Sequence, residues 1–126
     1  MTRLTLIALL VFAAPPLAGA RPDASTEAEI AELLAAVEAS PCTFIRNGAP
    51  HAAPDARSHM ELKYGHVRRR VNSSEDFIEF AASKSSMTGQ AYVVECPGEA
   101  QRPSRDWMLE RLREVRSGSP ADRSSQ

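Results

Sequence analysis

The chain has 126 residues, of which 43% are hydrophobic and 25% are charged, and its formal net charge is −1. This length suits one domain, and the composition excludes a collagen-like, low-complexity or polycationic chain. Because there is no strong positive excess, composition gives no support for nucleic acid as a partner. The sequence predicts a small globular domain, but composition alone does not identify what it does.

The first 20 residues have the pattern of a secretory signal peptide. Arg3 provides the positive charge, residues 4–14 form an apolar run, and Ala18-Gly19-Ala20 matches the small-residue cleavage pattern. The run is shorter than the roughly 20 residues that a bilayer-spanning helix needs. The alternative is a buried N-terminal helix, but the order of charge, apolar run and cleavage site favours export. We therefore predict a periplasmic protein without a stable membrane anchor, whose mature chain begins at Arg21.

The two cysteines, Cys42 and Cys96, both lie in the predicted mature chain. An even cysteine count in an exported protein predicts a structural disulfide. A redox or metal role is less well supported because the chain has no Cys-x-x-Cys pair.

The first half of the mature chain predicts a helix followed by a strand. A capping-box pattern at 26–29 begins the helix, and Ser40-Pro41 ends it. Four apolar residues then share one helical face: Ile30, Leu33, Leu34 and Val37. Residues 43–46 favour a strand, and Asn47-Gly48 is a strong turn signal.

Residues 49–54 contain two prolines and are predicted to be a loop, and residues 55–70 are predicted to be the second helix. At 100° per residue, this helix has an apolar stripe of Met60, Tyr64, Val67 and Val71. A second stripe of cations and imidazoles runs beside it and contains His59, Lys63, His66 and Arg70. This second stripe suits a cleft wall for an anion or carboxylate. Alternatively, the stems pack on the apolar stripe while the polar heads reach solvent.

The second half of the mature chain predicts two further helices and a second strand. Ser73 or Ser74 caps the third helix, a polar loop covers 83–90, the strand covers 92–96, and Ser104 caps the fourth helix. Residues 117–126 are predicted to form a disordered tail. The resulting fold class is α+β: one domain at 21–116 with about four helices and a two-stranded antiparallel pair.

The residues that favour catalysis or metal binding are few. Ser85 or Ser86 with His51 or His59 could form a Ser/His hydrolase site, but the chain has no Gly-x-Ser-x-Gly motif. His59 and His66 are seven residues apart in the predicted helix, too far to share one tetrahedral ion. We therefore predict no metal and no cofactor. Arg68–Arg70 is too short for a nucleic-acid patch, so we expect a solvated face there.

The segment Phe44-Ile45-Arg46-Asn47-Gly48, with His51, Ser58-His59 and Lys63, resembles the YfeK-like family of small exported bacterial proteins. The similarity continues through Phe77-Ile78 and residues 85–92, and extends from about residue 29 to 112. It implies a periplasmic domain of unassigned function. Ala91 stands where the family usually has proline, and Met60 stands where it has leucine. The resemblance implies no shared disulfide, because the family does not always carry both cysteines.

The family's polar signature corresponds here to Arg46, Asn47, His51, His59, Lys63, Ser85, Ser86 and Tyr92. If the two strands pair antiparallel, Arg46 and Tyr92 lie near one end of the sheet and the second helix closes over them. Such a cluster would suit a carboxylate or phosphate. Alternatively, these residues have structural roles in the turn, in a loop and at a helix end.

Three functions follow from these patterns. The first is a binding or accessory domain that captures a small anionic ligand or a peptide carboxylate with Arg46, His59 and Lys63. The second is a protein–protein interaction module of the cell envelope, of the inhibitor or immunity type. The third is a Ser/His hydrolase. Binding is favoured over catalysis, and the sequence does not settle whether the protein is an enzyme.

Overall fold

A computed structural model describes residues 10–13 and 21–118 of the chain. Most of the predicted signal peptide, including its cleavage site, lies outside these residues, as does the predicted tail from residue 119 onward. The helices and strands, in chain order, are α1 (Ala24–Ala39), β1 (Thr43–Arg46), β2 (Ala49–His51), α2 (Ala53–Val67), α3 (Ser74–Ala81), β3 (Val93–Glu95), β4 (Arg102–Pro103) and α4 (Ser104–Arg116). Within the described ranges, no helix is long and apolar enough to cross a membrane.

Helix α1 begins three residues earlier than the capping box predicted. The carboxylate of Asp23 accepts a hydrogen bond from the backbone N–H of Thr26 at 2.8 Å, and Thr26 itself is buried inside the helix. Asp23 is therefore the N-cap, because its side chain satisfies a free N–H of the first turn. The predicted apolar face is confirmed, since Ile30, Leu33, Leu34 and Val37 are all buried.

The Asn47-Gly48 turn forms a tight hairpin between β1 and β2. Both residues have positive φ, 50° and 78°, which suits a two-residue turn between antiparallel strands. The predicted loop at 49–54 is therefore wrong: Ala49–His51 pairs with β1, and α2 begins at Ala53. The two prolines suggested a loop, but Pro50 lies in an edge strand, where its missing N–H is tolerated.

The sheet has four antiparallel strands in the order β2-β1-β3-β4. The α+β class is confirmed, and the predicted strand pair is the central pair β1–β3. Two short edge strands, β2 and β4, were not predicted, and β3 is shorter at each end than the predicted strand 92–96. Each edge strand carries a proline, Pro50 or Pro103, which limits further pairing with another chain.

The predicted disulfide between Cys42 and Cys96 is confirmed. The two cysteines flank the paired residues Thr43 and Glu95, so the bridge extends the β1–β3 pair at one end. Their Cα atoms are 4.1 Å apart. The disulfide therefore fastens one end of the central strand pair. The candidate site lies at the other end.

The four helices bury a common core with the sheet. Phe44 of β1 packs edge-on against Trp107 of α4, with ring centroids 5.6 Å apart, and Tyr64 of α2 packs in the same way on Phe77 of α3. Helix α3 is capped by Ser73, as predicted, through a hydrogen bond from the N–H of Asp76. This packing fixes α2 and the start of α4 against the sheet.

Helix α2 ends earlier than predicted. It stops at Val67, and Arg68–Arg70 forms a separate 3-10 turn. Gly65 lies within the helix and does not break it. The predicted stripe of four cations and imidazoles therefore does not continue as one helical face through Arg70.

Candidate functional site

The free end of the β1–β3 pair, opposite the disulfide, brings together the strongest of the predicted site residues. Ile45 pairs with Val93, so the next position along this register sets Arg46 beside Tyr92. Helix α2 contacts β1 and projects His59 and Lys63 toward the Tyr92 hydroxyl. The predicted closure of helix α2 over this end of the sheet is what the structure shows.

A small pocket lies between β1, α2 and the first residue of α4. Its enclosed space is about 20 Å³, enough for about one water molecule. The surface that faces this space is almost entirely apolar, although several of the residues around it have polar side chains. It is lined by Phe44, Ile45, Arg46, His51, Ala56, His59, Met60, Tyr92 and Ser104.

Tyr92 is the centre of a hydrogen-bond chain. Its ring is 6% exposed, and its hydroxyl lies 3.2 Å from Nε2 of His59 and 3.1 Å from Nζ of Lys63. The Lys63 ammonium also donates to the backbone carbonyl of Lys84 at 2.6 Å. Because an ammonium only donates, the Tyr92 oxygen accepts from Lys63, and the phenolic O–H donates to His59 when Nε2 carries no proton. Lys63 thus holds Tyr92 and the 83–90 loop in place and does not itself line the pocket.

Burial and neighbouring cations shift the pKa of these groups. Desolvation lowers the pKa of His59, and the positive charges of Arg46 and Lys63, with His51, lower it further. Desolvation and Arg46 also lower the pKa of Lys63, whereas burial raises the pKa of Tyr92. The lowered pKa favours the neutral imidazole at neutral pH, a form that can accept from Tyr92 through an unprotonated Nε2.

Proton binding by His59 is expected to make the domain less stable in acid. The folded protein holds the pKa of His59 below the 6.5 of the free side chain, so the unfolded chain binds the proton more readily. This contribution to the free energy of unfolding is complete above pH 6.5 and is lost as the pH falls through the folded-state pKa.

A titration of His59 by NMR should give a midpoint below 6.5, and Arg46→Gln should move that midpoint upward because one repelling charge is removed. An unshifted or raised midpoint in the unmodified protein would contradict the assignment of His59 to a buried cationic site.

Among the residues that the structure describes, the cations of this site have no acidic partner. Elsewhere the arginines pair with carboxylates: Arg57 with Glu38, Arg102 with Glu110, and Arg116 with both Glu29 and Glu75. Within residues 21–118, neither Arg46 nor Lys63 lies in an ion pair, and no Asp or Glu lines the pocket. The site therefore carries positive charge that the described part of the protein does not neutralise.

The predicted serine residues lie in a second, adjacent cluster. The buried Ser85 hydroxyl is 3.4 Å from the amide nitrogen of Asn47, and Asn47 also accepts from the Thr88 hydroxyl at 2.8 Å. These contacts fasten the 83–90 loop to the β1–β2 turn, while Ser86 is exposed. In the portion of the chain that the structure describes, neither serine forms a hydrogen bond with a histidine. The geometry that a Ser/His hydrolase requires is not formed there.

Two members of the predicted cationic stripe lie outside the site. His66 is exposed, two turns along α2 from His59. Arg70 lies in the 3-10 turn beyond the helix, and its guanidinium stacks on Phe80 at 4.6 Å. Among the described side chains, no group of three His, Cys, Asp or Glu is placed to hold a metal ion.

The sequence predicted Ser104 to be the N-cap of the fourth helix and did not predict it to be a pocket residue, and the predicted cap is wrong. The N-cap of α4 is Pro103, and Ser104 is instead the first residue of the helix, fully buried at the pocket. No local sequence signal separates these two positions, because the difference depends on the β4 pairing that precedes the helix.

Comparison with known proteins assigns the chain to a family. Residues 24–116 match a family of unknown function (DUF5329), and the chain belongs to it. The chain is also similar to the uncharacterized protein YfeK of Salmonella typhimurium, with 42% identity over 76 residues. That match covers 60% of this chain and 63% of the relative, less than two thirds of its length. No solved structure matches.

Proposed function

We propose that the protein is a periplasmic binding domain whose pocket captures the carboxylate of a small ligand or of a peptide C-terminus. The observation that carries this proposal is the gathering of Arg46 and Lys63 around Tyr92 and His59 with no acidic partner in the described residues. Burial and the charge of Arg46 both lower the pKa of Lys63, and a bound anion would offset this unfavourable environment for the ammonium.

Arg46 is the residue best suited to contact the anion. It lines the pocket, and a guanidinium can donate two parallel hydrogen bonds to a carboxylate. Lys63 contributes charge and holds the Tyr92 hydroxyl at the site. His59 is hydrogen-bonded to that hydroxyl and lines the pocket beside the apolar residues Phe44 and Met60.

The periplasmic assignment is supported by the disulfide and by the sequence of the first 20 residues. A structural disulfide persists in oxidising compartments such as the periplasm. The charge, apolar run and small-residue site at the N-terminus have the order of a secretory signal. Both features favour a protein that meets its ligand outside the cytoplasm.

Thermal unfolding of the oxidised mature chain tests for a ligand. N-acetylalanine serves as the simplest peptide carboxylate, and N-acetylalaninamide, which lacks the charge, is its matched control. A ligand that binds only the folded state stabilises it by about 2.7 kcal/mol at 100 times its dissociation constant. We expect the acid to raise the melting temperature and the amide to leave it unchanged.

Equal shifts with the acid and the amide, or no shift with either up to millimolar concentration, would contradict carboxylate capture. The latter result would favour the alternative of a protein partner in the envelope.

A further inference from the structure

We infer that Ser104 is a ligand contact, whose buried hydroxyl donates a hydrogen bond to one oxygen of the bound carboxylate while Arg46 holds the other oxygen. The inference rests on the proposed function and adds to it one further residue that contacts the ligand. The polar signature of the sequence does not include Ser104.

The main observation is a hydroxyl without a partner. Ser104 is 0% exposed, yet its Oγ forms no hydrogen bond with any described residue. Buried polar groups are nearly always hydrogen-bonded, and an unpaired one costs about 1–3 kcal/mol. Ser104 lines the pocket that Arg46 also lines, so a group that enters the pocket is a candidate partner for this hydroxyl.

The position of Ser104 is fixed from two sides. Its backbone N–H donates to the carbonyl of Tyr92 at 2.8 Å, so the first residue of α4 is tied to the tyrosine at the centre of the site. The N-cap, Pro103, provides no side-chain cap for the first turn of the helix. The start of a helix favours negative charge, which adds to the field of Arg46.

The size of the pocket limits how much of an anion can enter it. An enclosed space of about 20 Å³ accommodates about one water-sized group, such as a single oxygen atom of a ligand. A carboxylate can place one oxygen there and leave the other at the pocket mouth beside Arg46.

The decisive test measures affinity and stability together in Ser104→Ala. N-acetylalanine should bind about tenfold more weakly to this variant than to the unmodified protein, since one buried hydrogen bond is lost. The melting temperature of the ligand-free variant should be equal or higher, because an unpartnered hydroxyl has been removed. Ser58→Ala, at an exposed serine of α2, is the matched control for affinity and should leave N-acetylalanine binding unchanged.

Unchanged N-acetylalanine affinity in Ser104→Ala would overturn the role of Ser104 while leaving capture by Arg46 intact. Absence of carboxylate binding to the unmodified protein would overturn both this inference and the proposed function.

Discussion

Removal of the Cys42–Cys96 disulfide is expected to lower the free energy of unfolding by about 4 kcal/mol. The bridge joins residues 54 positions apart, and cross-linking a loop of that length removes a large part of the entropy of the unfolded chain. For a domain of this size, the loss corresponds to a fall in melting temperature of roughly 20 °C. Calorimetry of Cys42→Ala/Cys96→Ala beside the oxidised protein measures it.

The same variant separates stability from binding. The disulfide lies at one end of the β1–β3 pair, and the pocket lies at the other, beside Arg46 and Tyr92. At a temperature where the variant is folded, we therefore expect the affinity for N-acetylalanine to be unchanged. A loss of stability under 1 kcal/mol would show that the disulfide is not a main constraint on the fold.

Arg46→Gln is expected to weaken N-acetylalanine binding by about 10- to 100-fold. A hydrogen bond to a charged group contributes about 1.5–3 kcal/mol, and glutamine keeps a polar side chain while removing the charge. Isothermal titration calorimetry of the two proteins measures the difference. Because Arg46 forms no ion pair within the described residues, the variant should fold with little change in stability.

Arg69→Gln is the control for general loss of positive charge. Arg69 is exposed in the 3-10 turn after α2 and does not line the pocket. It should leave the affinity unchanged at moderate salt, since an exposed charge outside the site is screened. If both variants weakened binding equally, the affinity would depend on the net charge of the protein and not on a contact in the pocket.

Most of the fold could be predicted because local patterns and tertiary packing agree. The apolar spacing of Ile30, Leu33, Leu34 and Val37 matches the buried face of α1, and Asn47-Gly48 forms the hairpin turn. The edge strands could not be predicted, because β2 and β4 are short and each contains a proline. Their pairing depends on neighbouring strands and not on their own sequence.

Only part of the candidate site could be predicted from the sequence. Side chains that project from one strand pair and one helix face, such as Arg46, Tyr92 and His59, could be placed together from register and helical spacing. Ser104 could not, because its burial depends on where β4 ends and α4 begins. The extent of the cationic stripe was overestimated, since the helical period does not hold beyond Val67.

The most direct test of the central claim is an NMR titration of the isotopically labelled mature protein with N-acetylalanine. We expect the largest shifts at the Arg46 and Tyr92 amides, at the His59 ring and at the start of α4. The midpoint of the His59 titration should also rise when the anion is bound, because a negative charge favours the imidazolium form. Shifts that are absent, or confined to residues outside this pocket, would contradict the assignment of the sheet end as a carboxylate site.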